Sequence, residues 1–294
     1  MRRLERLREE RDAVVVAHSF QRPEVQEIAD FAGGKLECAL FAAESSASTV
    51  VVCGVDFMAE LVAVLCPGKR VLLAEPEAKC PMVAMLEREQ LLRMRERLPA
   101  VFVGYVKARA EQLELCDFVC THESALQVVE GAEGDVVVVP DSQVAEYLRM
   151  RTGRRLIGAE AYCPPHIRIT PAEVKMLREA HPEAEVLAHP QCRRDVLELA
   201  DAVLDSAGMV EHAAKSPREE FIVACETGVL HRLRACSPEK SFYPASERAV
   251  CSKHRLTDAS SVLWCLEDMS GEVRVEEEKA ARLRELMRRG GAIG

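Results

Sequence analysis

The sequence predicts an α/β protein made of three similar three-layer αβα units, each with a small parallel sheet. Short valine-rich runs alternate along the chain with amphipathic stretches of about ten residues. Most of these runs are apolar throughout, as expected of parallel strands that helices cover on both faces. Three cysteine-containing loops also recur 83 and 88 residues apart, which indicates a threefold internal repeat.

Ten apolar runs, bounded by Gly, Pro or Asp residues, are predicted to be the strands of these sheets. The runs are Ala13–Ala17, Thr49–Cys53, Arg70–Ala74, Val101–Tyr105, Asp117–Cys120, Asp135–Val139, Leu156–Ala159, Glu185–Ala188, Ala202–Asp205 and Phe221–Cys225. Because the carboxyl ends of parallel strands form the ligand-binding edge of an open α/β sheet, the residues that follow these runs are the first candidates for a site.

Helices are predicted between the strands and at both ends of the chain. The segment MRRLERLREERD is a charged amphipathic helix, and residues 275–294 have the acidic start, basic end and glycine stop of a closing helix. Thr170, Pro171 and Glu173 match a capping box, so a further helix should begin there. The other helix candidates are Glu24–Phe31, Met82–Arg97, Ser142–Met150 and Met209–Lys215.

Composition excludes several classes of function. Of the 294 residues, 48% are hydrophobic and 30% are charged, which is typical of a globular chain and not of a disordered one. A net charge of −9 and an aromatic content of 4% argue against a nucleic-acid partner. No apolar run is long enough to span a membrane, and the N-terminal helix lacks the apolar region of a secretory signal. We therefore expect a cytoplasmic protein without a membrane partner; the sequence does not indicate its oligomeric state.

Twelve cysteines in a chain without an export signal favour metal binding or catalysis over disulfides. The three repeated loops carry Cys80, Cys163 and Cys251. Three thiolates can hold three corners of a cubane iron–sulfur cluster and leave one iron open to a substrate. Isolated cysteines are more often small buried hydrophobic residues, and Cys66 is a rival ligand because a proline follows it too. The spacing alone leaves both interpretations open.

The three cysteine loops suggest three units without a flexible linker between them. The predicted segments are residues 1–90 with Cys80, residues 91–175 with Cys163, and residues 176–294 with Cys251 and the C-terminal helix.

Three histidines follow strands or cysteine loops, namely His18, His166 and His189. Histidines gathered at one edge of the units predict an acid–base or anion-binding ring, although each one can also cap backbone carbonyls. The segment Asp205–Gly208 leads into a helix, so its amides and the Ser206 hydroxyl can bind a phosphate or carboxylate. A plain helix cap explains the same residues equally well.

Several long stretches, in a common order and over nearly the whole chain, resemble the quinolinate synthase family. They are VVAHSFQRPEVQEIADFAG, VVVCGVDFMAE, EPEAKCPM, AYCPPHIRI, LAHPQC, SAGMVEHA, ETGVLHRL and AVCSKH. The resemblance implies three homologous domains around a pseudo-threefold axis, and a 4Fe–4S cluster held by Cys80, Cys163 and Cys251. It also implies the condensation of iminoaspartate with dihydroxyacetone phosphate to quinolinate, with loss of phosphate and two waters, for NAD synthesis. The open iron would act as a Lewis acid.

The resemblance extends unevenly to the pocket. His18, Tyr105, His166 and His189 match family residues that bind or protonate the substrate. Other positions depart from the family. Phe20 replaces a tyrosine, Lys35 a serine, Lys107 an asparagine, His122 a serine and Gln191 a glutamate, while Leu204–Asp205–Ser206–Ala207–Gly208 replaces a Gly-Ser-Thr-Ser-Gly anion loop.

These changes remove some proton-transfer groups and add others. Phe20 and Gln191 keep the shape of the family residue but lack its ionisable or donating atom, which is worth about a hundredfold or more in rate. Lys35 and Lys107 are expected to hold the anionic groups of a small substrate, and Asp205 or His122 to replace lost proton transfer.

Two interpretations remain open: a divergent quinolinate synthase, or a paralogue that uses the same cluster and scaffold on another small substrate. A non-catalytic iron–sulfur sensor, a radical enzyme resembling the diphthamide-forming enzymes and a zinc site are further alternatives.

Overall fold

The computed structural model describes residues 2–294 and contains three four-stranded parallel sheets. Each sheet is formed by four consecutive strands of the chain. The first contains β1 (Ala13–His18), β2 (Phe31–Gly33), β3 (Thr49–Cys53) and β4 (Arg70–Leu73). The second contains β5 (Ala100–Tyr105), β6 (Phe118–Cys120), β7 (Asp135–Val139) and β8 (Leu156–Gly158). The third contains β9 (Glu185–Ala188), β10 (Ala202–Val203), β11 (Glu220–Ala224) and β12 (Ser241–Pro244). The predicted α/β class with three small parallel sheets is confirmed.

Sixteen helices connect and cover these strands in the described part of the chain. They are α1 (Arg2–Glu10), α2 (Pro23–Ile28), α3 (Lys35–Glu44), α4 (Asp56–Leu65), α5 (Pro81–Ala84), α6 (Arg88–Arg97), α7 (Ala110–Leu113), α8 (His122–Gly131), α9 (Ser142–Thr152), α10 (Pro164–Ile167), α11 (Pro171–Ala180), α12 (Arg194–Leu197), α13 (Ser206–Lys215), α14 (Val229–Cys236), α15 (Ala259–Asp268) and α16 (Glu277–Arg289). None of them is both long and apolar enough to cross a membrane.

All three sheets share one strand order. The first strand of each unit lies between the second and the third, and the fourth lies at the edge beyond the third. The connections from the first strand therefore lead to opposite sides of it, the second strand on one side and the third on the other. In sheets of this kind a crevice forms at the carboxyl ends of the first and third strands. The same crevice occurs three times, once in each unit.

Helices cover both faces of the first sheet, which explains why its strands are apolar throughout. Successive residues of a strand point to opposite faces. Val14 and Val16 belong to the large central core with residues of α3 and α4, whereas Val15 and Ala17 pack in a separate cluster with residues of α1 and α15.

The two C-terminal helices return to the first two units. Helix α15 packs against α1 and β3, and α16 packs against β6 and α4. The end of α16 lies so close to β6 that a Cβ atom on Gly290 would be 2.2 Å from the carbonyl oxygen of Val119. The segment 176–294 thus contributes to all three units, and the proposed segment boundaries stay predictions.

The ten predicted strands are present, but two short edge strands, β2 and β12, were not predicted. Only three residues form β2, and β12 ends in Pro244, which an edge position tolerates because it needs no further ladder bond. The helix predicted over 24–31 ends at Ile28, because Phe31 pairs with Val16 in the sheet. The helix predicted over 82–97 is two helices, since Glu87 is extended and caps α6.

The predicted terminal helices and capping box are observed. Helix α1 covers Arg2–Glu10 of the first segment, Arg11 and Asp12 form a turn, and Met1 lies outside the described residues. Thr170 is the N-cap of α11, and its side chain accepts a hydrogen bond from the Glu173 N–H.

Candidate active site

Equivalent positions of the three units supply one site. The first strands of the three units end at His18, at Tyr105 and at the residue before His189. Phe20, Lys107 and Gln191 each lie two residues further along the chain. After the second strands, Lys35, His122 and Ser206 are the first residues of α3, α8 and α13. Asp205 is the N-cap of α13. The loops after the fourth strands carry the three cysteines of the internal repeat.

Cys80, Cys163 and Cys251 line a single small cavity. Each follows the pattern Ala-x-Cys, and each alanine carbonyl accepts a backbone N–H from the residues after the third strand of its unit. These bonds are Asp56 to Ala78 at 3.0 Å, Ser142 to Ala161 at 2.8 Å, and Thr227 to Ala249 at 3.0 Å. The carboxyl end of each third strand therefore fixes the loop that delivers its cysteine.

Two carboxylates hold the cysteine loops more directly. The Cys80 N–H donates to Asp56 Oδ1 at 2.8 Å, and the Cys251 N–H donates to Glu226 Oε1 at 3.0 Å. Burial raises the pKa of Glu226 to about 7. Arginines that pair with the two carboxylates are Arg109 and Arg255. Asp56, Asp141 and Glu226, which follow the third strands, are 85 residues apart at each step, a repeat that sequence reasoning missed.

The donor set and the cavity fit an iron–sulfur cluster. Burial raises the pKa of Cys80 to about 12 and that of Cys163 well above its ordinary value, so metal binding has to displace a proton from each thiol. Within residues 2–294, no three His, Cys, Asp or Glu side chains are grouped to hold a single metal ion. The rival Cys66 is buried outside the cavity, with its thiol directed at the Ala39 carbonyl.

Four histidines surround the ring of Phe20. Their ring centroids lie 4.4 Å (His18), 5.9 Å (His166), 6.5 Å (His189) and 5.8 Å (His254) from its own. All four are buried, and burial lowers the pKa of each, to about 3 in His254. The four histidines around Phe20 are therefore neutral imidazoles at neutral pH.

His254 was not among the predicted site residues, although it lines the same cavity as the three cysteines. Its Nδ1 lies 3.3 Å from Gln21 Nε2. A sequence signal was present: His254 follows Cys251 by three residues, as His166 follows Cys163.

Backbone contacts fix the tautomers of two histidines. The Phe20 N–H donates to His18 Nδ1 at 3.0 Å, and the Gln191 N–H donates to His189 Nδ1 at 3.1 Å. A neutral imidazole carries one proton, so His18 and His189 each keep theirs on Nε2. Nδ1 of His166 instead lies 3.1 Å from the sulfur of Cys163.

Lys107 connects the histidines to a buried amide and carboxylate. Its Nζ donates to Gln191 Oε1 at 2.7 Å and lies 3.1 Å from His189 Nε2. The Gln191 amide nitrogen in turn donates to Asp141. Burial raises the pKa of Asp141 to about 6.

Asp205 faces Lys35 and His122 in a second polar cluster. Its Oδ2 lies 3.8 Å from Lys35 Nζ and 3.7 Å from His122 Nδ1. Burial lowers the pKa of Lys35 to about 7 and that of His122 to about 4. Burial opposes ionisation of Asp205, but Lys35 and His122 outweigh it and lower its pKa. Tyr105 Oη and His122 Nδ1 are buried without a hydrogen-bond partner among residues 2–294.

Nearly the whole chain matches one family of known proteins. The model of the family NadA, quinolinate synthetase A protein, matches residues 2–290. The chain belongs to the quinolinate synthase family. A quinolinate synthase of Methanosarcina barkeri (strain Fusaro / DSM 804) is 41% identical over 99% of this chain and 96% of its own length. The quinolinate synthase of Dehalococcoides mccartyi (strain CBDB1) is 41% identical over 92% of this chain and 91% of its own. That of Geobacter sp. (strain M21) is 40% identical over 92% and 90%.

Within this quinolinate synthase fold, the predicted residues fall into two groups. The cavity of the three cysteines is also lined by His18, Phe20, Lys107 and Gln191. His166 and His189 stack on each other with ring centroids 4.2 Å apart, and His166 contacts Cys163.

Lys35 and Asp205 line a groove on the surface, next to Tyr105 and His122. Lys35 and Lys107 approach the Tyr105 ring to 5.1 and 5.7 Å, so Tyr105 lies between the groups.

The helix start at Ser206 is already satisfied by the protein. Asp205 caps α13, with its Oδ1 accepting the N–H groups of Ala207 at 3.1 Å and Gly208 at 3.0 Å. The plain helix cap therefore describes these amides, and an anion would have to displace the carboxylate to reach them.

Proposed function

We propose that this protein is a quinolinate synthase that holds a 4Fe–4S cluster through Cys80, Cys163 and Cys251. The reaction would condense iminoaspartate with dihydroxyacetone phosphate to quinolinate, with release of phosphate and two waters, as a step of NAD biosynthesis. The observation that carries the proposal is the single cavity lined by these three cysteines together with His18. The activity named for the relatives supports it, and those relatives give no support to the paralogue or sensor alternatives.

The cysteines and the carboxylates behind them would form the cofactor site. When bound, the cluster supplies a Lewis acid at its open iron. Asp56 and Glu226 keep the loops of Cys80 and Cys251 in place through their backbone N–H groups. The apolar residues Val55, Phe57 and Met82 line the same cavity and exclude bulk water from it.

The histidines would supply hydrogen-bond donors of defined direction. With Nδ1 held by the backbone, His18 can donate only through Nε2, and it lines the cavity beside Cys80. A neutral imidazole held in one tautomer is suited to donate a hydrogen bond to a substrate oxygen on which negative charge develops. His166 and His189 complete the donor ring, since they stack against each other beside Phe20.

Lys35 and Tyr105 would recognise the anionic groups of the substrates. Lys35 is buried, and its charge is matched by Asp205 at 3.8 Å, a distance too long for a hydrogen bond. Tyr105 Oη has no hydrogen-bond partner in the described residues, so a substrate oxygen can take up its proton-donating capacity. A carboxylate or phosphate bound there would interact with both groups.

The proposal is tested by assay under anaerobic conditions. Protein purified without oxygen is mixed with iminoaspartate and dihydroxyacetone phosphate, and quinolinate is measured by mass spectrometry. We expect quinolinate to form in a brown, iron-containing preparation. Intact cluster without quinolinate would contradict the proposed reaction, and colourless iron-free protein would contradict the cofactor.

Cysteine variants test the ligand set separately from activity. Cys80→Ser, Cys163→Ser and Cys251→Ser should each lose most of the bound iron and the visible absorption of the cluster, because serine is a poor ligand for iron–sulfur clusters. Cys236→Ser is the matched control, since Cys236 is exposed on α14. Full iron content in any of the first three variants would remove that cysteine from the ligand set.

A further inference from the structure

Among residues 2–294, Lys107 is the one lysine that lines the cavity of the three cysteines. It is 6% exposed, and its amine has two polar neighbours, Gln191 Oε1 at 2.7 Å and His189 Nε2 at 3.1 Å. Neither neighbour is a carboxylate. Lys35, the other buried lysine, differs because Asp205 faces it.

The hydrogen bonds around His189 determine whether the Lys107 amine donates or accepts the hydrogen bond to the imidazole. The Gln191 backbone N–H can only donate, and it points at His189 Nδ1 from 3.1 Å. The single proton of the neutral ring is then on Nε2, so Nε2 is the donor in its contact with Lys107. An ammonium group has no lone pair to accept that proton, whereas an uncharged amine accepts it and still donates to Gln191.

We propose that Lys107 is a nucleophilic amine that forms a Schiff base with the carbonyl carbon of a small ketone substrate. An amine that lacks a carboxylate partner and is held by neutral donors and acceptors in a desolvated cavity is suited to this chemistry. The inference takes only its ketone, dihydroxyacetone phosphate, from the proposed function.

The covalent step balances without another reactant. The Nζ lone pair attacks the carbonyl carbon while the carbon–oxygen π bond moves its electrons onto oxygen. One amine proton passes to that oxygen to give a carbinolamine, and the second leaves with the hydroxyl group as water when the carbon–nitrogen double bond forms. His189 Nε2–H, which Lys107 releases when its lone pair attacks, can then donate to the oxygen and stabilise its developing charge.

Reductive trapping tests this role. The anaerobic holoprotein is incubated briefly near pH 7 with dihydroxyacetone phosphate and cyanoborohydride, which reduces a Schiff base to a stable secondary amine. Peptide mass spectrometry then locates the adduct. Lys107 lies in the cavity where the ketone would bind and contacts the Nε2–H donor of His189, whereas Lys215 is exposed and paired with Glu211. We therefore expect Lys107 to be labelled at least about 10-fold faster than Lys215.

Three variants and a parallel assay for quinolinate separate the outcomes. Lys107→Arg keeps a long nitrogen-bearing side chain but cannot form a Schiff base, so it should lose the adduct while keeping its iron content and unfolding temperature. Lys107→Met should lose it as well. Lys215→Met, at an exposed position, should keep the adduct at Lys107. An adduct only at Lys35 or on exposed lysines, or none in a preparation that makes quinolinate, overturns the role of Lys107 and leaves the proposed function standing. An adduct at Lys107 supports the role even in a preparation that makes no quinolinate.

Discussion

The imidazole of His18 is positioned by its own backbone. The Phe20 N–H lies two residues along the chain and donates to Nδ1, so the ring direction follows from local geometry and needs no other element. His189 and Gln191 repeat the same arrangement in the third unit. A histidine at the carboxyl end of a strand, with its Nδ1 bonded to the N–H two residues later, thus presents its Nε2–H to the cavity.

The variant His18→Asn distinguishes the role of Nδ1 from the role of Nε2 in His18. His18→Asn should accept the Phe20 N–H through its side-chain oxygen, as in an Asx turn, but it has no atom at the Nε2 position. We expect quinolinate formation to fall by about 10²–10⁴-fold with little change in unfolding temperature. His18→Ala should lower both, because it also leaves the Phe20 N–H unpaired.

The control for these variants is His231→Asn, a partly exposed position whose ring lies 3.7 Å from Glu27. It should keep activity and stability. Full turnover in His18→Asn would show that the Nε2 proton takes no part in the reaction.

The start of α11 shows how one carboxylate connects an element to a distant loop. Glu173 accepts hydrogen bonds from Thr170 within the capping box and from Ser246 at 2.8 Å and Arg248 at 3.0 Å. Burial opposes its ionisation, but these hydrogen bonds outweigh burial and lower the pKa of Glu173 to about 2. The helix start therefore also holds the loop before Cys251.

Glu173→Ala should destabilise the protein by about 1 kcal/mol near neutral pH, as loss of a helix cap does. Because the folded state lowers the pKa of this carboxyl, its contribution is complete above the unfolded value near 4.3 and is lost as the pH falls toward 2. Urea unfolding of the two proteins at several pH values measures this. The control is Glu179→Ala, at an exposed position of the same helix. A difference that persists unchanged at pH 2 would contradict the assignment.

At the scale of the whole molecule, the three units share one core and exchange helices. The largest apolar cluster contains strand residues of all three sheets, including Val16, Val137 and Ile222. Helix α16 adds Leu283 and Met287 to it while it contacts β6 and α4. The units therefore depend on each other for burial, and we expect them to unfold together.

Leu283→Ala should destabilise the whole chain by about 2–5 kcal/mol, because Leu283 is 1% exposed and its removal leaves a cavity between two units. The urea midpoint measured by circular dichroism reports this. Arg282→Ala, at the exposed neighbouring position, should change it by less than about 0.5 kcal/mol. A separate early transition confined to part of the signal would contradict the shared core.

Removal of the proposed cluster is also predicted to act on the whole chain. A cofactor that binds only the folded state and is present at about 100 times its dissociation constant stabilises that state by about 2.7 kcal/mol. Protein stripped of iron with a chelator should then unfold about 5 °C lower or more. Cys251→Ser should already unfold at the lower temperature and respond little to the chelator. Identical unfolding of the holo and stripped proteins would show that the metal does not connect the three loops.

Local pattern by itself determined the strands other than β2 and β12, the α/β class and the threefold repeat, because apolar runs and capping residues act through neighbours in the chain. It also identified Cys80, Cys163 and Cys251 as equivalent positions. Only the tertiary structure decided that these three line one cavity, that Lys107 contacts His189 and Gln191, and that His254 joins them. These contacts join residues about 80 or more positions apart, and their geometry depends on how three sheets pack around a shared core, which no local pattern encodes.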